Sequence, residues 1–442
     1  MLLCGTIQEL ETRGYLTSYF FFQANDKRIN NVAAFLRGII YLIVNQCPSA
    51  KQYVKREYDV AGTRLFTDSN AWVALLKILK YILQDQQLPK YYIIVDGLDE
   101  CIASEISILL EVISELSQAS QIVKWIVSSR NWKEIEEGFR CIAPNKPLSL
   151  EANEKSVSLA VEKYIRHKVD ALAFKKKLQL KVADNVRTYL LKHAAGTFLW
   201  VSLVCQELDK VRAWSVEETL REFPAGLDKL YERMMSKISD ANRSVASVCI
   251  DILAVVSLVH RPIKLGELQQ LFDRKGLSLE GLEDAVQTCG SFVIMQNDMV
   301  AFVHQSAKEF VTNQAAEQVF PDGQGGFHRR LAVRSLKAMS RILKRNIYNL
   351  PTSGFPIEKI EQPERDPLVT IQYSCIHWVG HLSSVGASRL QRLLGIHGPV
   401  MYFLRHYLLN WLEALSLFQE TSKAITCLSA LRTLTEVSVY VL

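Results

Sequence analysis

The stretch Tyr91-Tyr-Ile-Ile-Val-Asp96-Gly-Leu-Asp99-Glu100 decides how the first third of this chain is read. Its consecutive apolar residues predict a strand buried on both faces, and Gly97 allows a sharp turn at the strand's carboxyl end. Asp96 then stands at the strand tip, where an anion holds Mg²⁺ directly or through a water. Asp99 and Glu100 come next at a spacing suited to polarising a water for attack on a terminal phosphate. The other half of such a site is a loop of the form Gly-x-x-x-x-Gly-Lys-Ser/Thr, whose backbone amides and lysine wrap the phosphates. The 442 residues contain no such run.

A second apolar run, Val123-Lys-Trp-Ile-Val127, ends in Ser128-Ser-Arg130. In a neighbouring position its two hydroxyls and its guanidinium could reach a γ-phosphate. An acidic strand end followed in order by a Ser-Ser-Arg strand end points to nucleotide-binding ancestry. Working outward, Leu16 to Gln23 reads as a further strand and Pro147-Leu-Ser-Leu150 as a fourth, while residues 29–45, 69–83 and 105–118 carry apolar side chains at helical spacing. Alternating strands and helices predict a parallel sheet covered on both faces.

Beyond Ala152 helical patterns dominate. Pro224 and Gly226 mark a break before an apolar stripe of Leu227, Leu230, Tyr231, Met234, Met235 and Ile238. Helical patterns at 245–259, 265–272 and 279–289 precede Phe292 to Val303, two short strands around Asn297-Asp298. Three helices and a hairpin suggest a winged helix. The helix before the hairpin carries Glu280, Glu283 and Asp284, which opposes insertion into a nucleic-acid groove. Pro321-Asp-Gly-Gln-Gly-Gly326 and residues 351–367 read as linkers by composition, and Leu404, Leu408, Trp411, Leu412, Leu415 and Phe418 form a late helical face.

Length predicts two to four domains, and a net charge of +6 from 52 basic and 46 acidic residues is too small and scattered to argue for nucleic acid. Nine cysteines without a Cys-x-x-Cys pair fit a reducing, cytoplasmic setting. The amino end lacks the pattern of a signal peptide, and the apolar stretches at 32–44 and 248–259 are short and interrupted by Arg37 and Asp251, so no transmembrane segment is expected.

His304 precedes Gln305-Ser306-Ala-Lys-Glu309, in which Ser306 and Glu309 have capping-box spacing. Its imidazole could donate to a nucleotide phosphate if its domain folds back over the sheet, or hydrogen-bond inside its own domain. His377 and His381 share a helix face, but no third ligand accompanies them, so zinc is not expected. No Ser-His-Asp or Cys-His signature is present.

Together these residues resemble a fungal NACHT-domain protein of the STAND P-loop NTPase class, akin to NOD-like receptors and heterokaryon-incompatibility proteins. The resemblance rests on Ser18-Tyr-Phe-Phe-Phe-Gln23, a Walker B at Asp96-Gly-Leu-Asp99-Glu100, a sensor 1 at Ser128-Ser-Arg130, Gly196-Thr-Phe-Leu-Trp-Val201, Pro224 to Tyr231 and Phe302-Val-His304 to Phe310. It implies that Asp96 coordinates magnesium, that Asp99 and Glu100 are the catalytic pair, and that Arg130 senses phosphate. It further implies that His304 is the winged-helix histidine locking an ADP state and that Gly196 contacts adenine, with Phe198 standing where relatives have proline.

The implied fold is an α/β P-loop NTPase-like parallel sheet, its first strand and P-loop missing, followed by mostly α structure. The domains expected are a partial NACHT α/β domain at 1–150, a helical domain at 151–224, a winged helix at 225–320 and a C-terminal helical domain at 321–442. Met1-Leu-Leu-Cys-Gly5 resembles the residues that come after the Walker A lysine and threonine in relatives, so a truncation is expected. The absent strand lies mid-sheet in this class, which predicts two strands facing a vacant slot with unpaired backbone groups. The implied function is a signalling switch that cycles between ADP and ATP with Mg²⁺ and oligomerises with itself or related NACHT proteins. Without Walker A, this chain alone is expected to bind no nucleotide. The alternative is a non-catalytic scaffold or regulator of intact relatives.

Overall fold

The computed structural model describes residues 2–24, 26–68, 70–130, 135, 137–138, 154–194, 196–240, 242–272, 277–290, 292–352, 354–360, 363 and 366–439. The strand expected at 147–150 lies outside the described residues. The chain divides into two compact units, residues 1–148 and 149–442. By its described residues it is mostly helical, with one small parallel sheet and one small antiparallel sheet.

In the first unit, strands β1 (Leu16–Phe21), β2 (Tyr91–Asp96) and β3 (Val123–Val127) form a parallel sheet in the order β1-β2-β3. Tyr91, Ile93, Ile94 and Val95 of the central strand are fully buried, as a strand covered on both faces requires. The sheet lies among the helices Val32–Gln46, Ala71–Leu83 and Ile106–Ala119, each carrying a buried stripe at helical spacing, such as Phe35, Leu36, Ile39 and Ile43. Asn31 starts the first of these by accepting a hydrogen bond from the Ala34 amide at 2.9 Å. The chain opens on a helix, Leu2–Thr12, where the resemblance implies one; a further helix, Lys51–Ala61, has no buried face that periodicity would reveal.

No vacant slot opens between the described strands β1, β2 and β3; the fourth strand expected at 147–150 lies outside them. β2 and β3 pair directly, from Tyr91 opposite Val123 to Val95 opposite Val127, and the Ser128 amide extends the ladder to the Val95 carbonyl at 2.9 Å. Interior strands facing a gap would leave a row of buried N–H and C=O groups unbonded, and pairing satisfies them.

The second unit opens with the helices Glu154–Lys176, Leu180–His193 and Phe198–Lys210. Gly226, at φ 88°, precedes the helix Leu227–Ser239, which buries Leu230, Tyr231, Met234, Met235 and Ile238 as the stripe predicts. Helices Arg243–Leu258, Leu265–Gln270 and Leu279–Thr288 precede the hairpin of β5 (Val293–Gln296) and β6 (Met299–Phe302). Asn297 and Asp298, at φ 48° and 65°, make the tight turn between them. A two-residue strand, β4 (Ile263–Lys264), adds to β6 to give the order β4-β6-β5 and is too short to read from sequence. One apolar core takes in residues from Val161 to Leu331 together with Tyr373, so the leading helices and the hairpin region share it.

The remaining helices enclose a second core around Trp378, Phe403 and Trp411. Trp411 and Leu415 of the predicted late face are buried in it, with Leu404, Leu408, Leu412 and Phe418 packed at its edge. The glycines at 323, 325 and 326 are not a linker: they form the first turns of the helix Gly323–Ile342. A Cβ on Gly326 would stand 2.8 Å from the Arg389 guanidinium, so the missing side chain serves close packing and not flexibility.

Candidate functional site

The carboxyl end of the parallel sheet collects the predicted acids. β2 delivers Asp96 to the tip, and Gly97, at φ 71°, takes the left-handed conformation that starts a 3₁₀ turn of Leu98, Asp99 and Glu100. β3 ends beside it at Ser128. The Ser128 hydroxyl donates to Asp96 Oδ1 and accepts from the Gly97 amide at 3.1 Å, while the Leu98 amide donates to the Ser128 carbonyl at 3.1 Å.

Asp99 is nearly enclosed, its side chain 7% exposed. Its Oδ1 accepts from the Arg130 amide at 2.9 Å and its Oδ2 lies 3.3 Å from Arg130 Nε. The Ser129 hydroxyl approaches the same carboxylate at 3.4 Å. Asp96, Asp99, Glu100 and Arg130 are thus brought together, and the arginine expected to meet a phosphate is engaged by the acid expected to activate water.

Glu100 turns the other way. Its Oε2 accepts from the Ala24 amide at 3.1 Å, which ties the turn to the loop after β1. Burial raises its carboxyl pKa above the usual range, helped by the neighbouring charges of Asp99 and Asp96 and opposed by the Ala24 bond and Arg130. That loop holds a pair that sequence reasoning missed. Asp26 is buried, and Arg28 grips it with Nε at 2.9 Å from Oδ1 and Nη2 at 2.6 Å from Oδ2. Glu105 accepts from the Val32 amide at 2.8 Å and secures the loop's far end. Nothing periodic marks these residues; only the close Asp-x-Arg spacing hints at an ion pair.

Gly196 and His304 belong to the second unit. Gly196, at φ 72°, lies on an open groove of about 520 Å³ lined by Leu159, Val161, Glu162, Ile165 and Leu191. His304, not Ser306, caps the short helix Gln305–Glu309: its Nδ1 accepts from the Ser306 amide at 3.1 Å and lies 2.9 Å from the Ser306 hydroxyl. Tyr231 OH is 3.0 Å from that hydroxyl. The capping-box reading of Ser306 and Glu309 is therefore corrected, because the imidazole two residues earlier supplies the acceptor. Nδ1 is occupied by this cap, so the ring proton sits on Nε2. His381 is buried, with Nε2 2.8 Å from Tyr373 OH and Nδ1 2.9 Å from His328 Nδ1.

Residues 1–130, which carry the whole acid cluster, match the family described as Nephrocystin 3, N-terminal. The chain is also 43% identical over 456 aligned residues to the vegetative incompatibility protein HET-E-1 of Podospora anserina, across 98% of its own length. The chain belongs to the fungal NACHT-domain family. It spans about a third (33%) of the length of that relative. In this NACHT-domain chain the sheet end offers three carboxylates on one turn. Among the described residues, however, no group of three His, Cys, Asp or Glu side chains could hold a metal ion by itself. A hard cation brought by a polyphosphate fits such a donor set, since Mg²⁺ is usually held by one or two carboxylates together with substrate oxygens.

Proposed function

We propose that the domain at 1–150 is the nucleotide-handling part of a NACHT-type signalling switch of the vegetative-incompatibility kind, built on a P-loop NTPase-like sheet. The helical domain (151–224), winged helix (225–320) and C-terminal helical domain (321–442) complete it. The observation that carries this is the clasp at the sheet end, with Asp96 fastened by Ser128 and Asp99 paired with Arg130.

In this reading Asp96 is the magnesium acid, and Asp99 with Glu100 orients and deprotonates an attacking water. Arg130 leaves Asp99 for a γ-phosphate, so that one ion-pair exchange reports which nucleotide is present. Magnesium, when bound with a nucleotide, neutralises developing phosphate charge. The groove at Gly196 takes adenine, and His304, its proton on Nε2, donates to a phosphate from the winged helix. The switch works in the cytoplasm by assembling with copies of itself or with related NACHT proteins.

The 442 residues contain no glycine-rich phosphate loop, so this chain alone is proposed not to hydrolyse nucleotide. Loop amides and the lysine carry most of the phosphate grip in such enzymes, and uncompensated acids repel ATP. A scaffolding role for the chain is the second reading, favoured by the lack of a glycine-rich phosphate loop among the 442 residues. Calorimetry with Mg-ATP separates the two. The chain alone is expected to give no heat of binding, and the chain joined to the phosphate-loop segment of a relative is expected to bind and hydrolyse, with hydrolysis lost in Asp99→Ala. Micromolar binding by the unextended chain refutes the inactivity, and no binding by the extended one refutes the switch.

A further inference from the structure

At the tip of the hairpin formed by helices Glu154–Lys176 and Leu180–His193, large apolar side chains stand in water. Phe174 is 89% exposed, Leu180 86% and Trp214, on the adjoining loop, 77%. An ion triad establishes that the first two share a side. Arg187 pairs with Asp170 at 2.9 Å and with Asp184 at 2.5 Å, which puts these three residues on one face of the hairpin. Phe174 lies one helical turn beyond Asp170, and Leu180 one turn before Asp184. Both therefore occupy that face at its tip.

The loop bearing Trp214 runs past the same end. Lys175 pairs with Asp209 at 2.6 Å, Lys176 donates to the Val211 carbonyl, and on the other helix Asn185 donates to Glu217. Within 174–181 and 209–214 the cations are Lys175, Lys176, Lys177, Lys181, Lys210 and Arg212, against Asp209 as the one acid. Two of the six are engaged in ion pairs, Lys175 with Asp209 and Lys210 with Glu207.

A hairpin tip with three exposed apolar side chains and six cations in the same two segments is poorly suited to a groove on another protein and well suited to a lipid interface. Aromatic and leucyl side chains enter the boundary between headgroups and acyl chains, and lysine stems extend so that their ammonium groups reach lipid phosphates. Among the described residues no helix is long and apolar enough to cross a membrane, so the contact is with the surface. We propose that this tip docks the protein on an anionic phospholipid bilayer, with Phe174, Leu180 and Trp214 inserted and the cations facing the headgroups.

Sedimentation of the purified chain with phosphatidylcholine vesicles, with and without phosphatidylserine, tests this. Partitioning is expected to the serine-lipid vesicles and to fall with added salt, since juxtamembrane cations act within a Debye length. The triple variant Phe174→Ser, Leu180→Ser, Trp214→Ser is expected to partition at least about tenfold less, each apolar side chain contributing through its burial. Lys177→Glu with Lys181→Glu is expected to lower partitioning by about tenfold or more. All these positions are exposed, so the helical circular dichroism of both variants is expected to match the parent's. No partitioning to serine-lipid vesicles overturns the proposal, as does equal binding to neutral vesicles. Variants that bind lipid like the parent, or that change only the sedimentation of the free protein, assign the tip to a protein contact instead and also overturn it.

Discussion

Ser128 and Asp96 join the tips of two neighbouring strands through a single hydroxyl, which donates to the carboxylate while accepting the Gly97 amide. The bond spans 32 residues of sequence and depends on β2 and β3 being adjacent. Removing it strands a half-buried carboxylate oxygen and an amide together. Ser128→Ala is expected to lose about 1–2 kcal/mol of stability, read as a lower midpoint in urea with unchanged slope. Ser128→Thr keeps the hydroxyl and is expected to recover most of the loss.

Asp99 and Arg130 form a lopsided pair, the acid 7% and the arginine 38% exposed by side chain. The Arg130 amide also serves Asp99, and it survives any change of side chain. Arg130→Ala is thus expected to cost less than about 1 kcal/mol, as for exposed ion pairs. Asp99→Ala is expected to cost about 1–3 kcal/mol, because the Arg130 amide then loses its acceptor. Denaturation of the two single variants and the double variant closes a cycle whose coupling energy is expected to stay under about 1 kcal/mol. A pair poised to exchange partners must be weakly coupled in this way.

The strand at Tyr91 to Val95 was legible because burial on both faces leaves an unbroken apolar run, and Asp96 followed from where that run stops. Strand order was not legible. Periodicity states that a segment is a strand and says nothing of which strand lies beside it, so the direct β2–β3 pairing and the Ser128–Asp96 bond could not be read ahead. Composition misled at Gly323 to Gly326, where glycine admits the Arg389 side chain and stays helical. The Asp26–Arg28 pair and the Glu100–Ala24 bond fix an irregular loop through side chains and leave no period to detect.

His328 and His381 share one proton between their Nδ1 atoms, 2.9 Å apart, with Tyr373 on the far side of His381 and His260 stacked on it at 4.8 Å. Burial pushes His328 down to about 4, below the value near 6.5 of an exposed histidine. The folded state therefore favours the neutral ring. Its contribution is fully present above pH 6.5 and is lost as the pH falls from 6.5 toward 4, because the unfolded chain takes up the proton first. Unfolding in urea at pH 7 and pH 5 is expected to show a loss of about 1–2 kcal/mol at the lower pH. In His328→Gln that part of the loss is expected to vanish.

Glu267 is 1% exposed and accepts four hydrogen bonds, from Arg261 Nη2 at 2.6 Å and Nη1 at 2.9 Å, and from the Tyr373 and Lys264 amides at 2.9 and 3.0 Å. It links the end of β4, the helix after it and the helix Gln372–Leu382 at one point. Glu267→Gln keeps the shape but leaves a poorly exposed guanidinium without an anion and sets an amide N–H₂ against donors, so a loss of about 3–5 kcal/mol is expected. Arg261→Met is expected to cost less, because the carboxylate keeps its two amide donors while the thioether covers the Tyr373 ring, over which the guanidinium now sits at 5.3 Å. If urea midpoints instead place Arg261→Met as the more damaging change, the ion pair and not the amide network holds this junction. A larger loss in Glu267→Gln identifies the carboxylate as the keystone, with the arginine recruited to neutralise it.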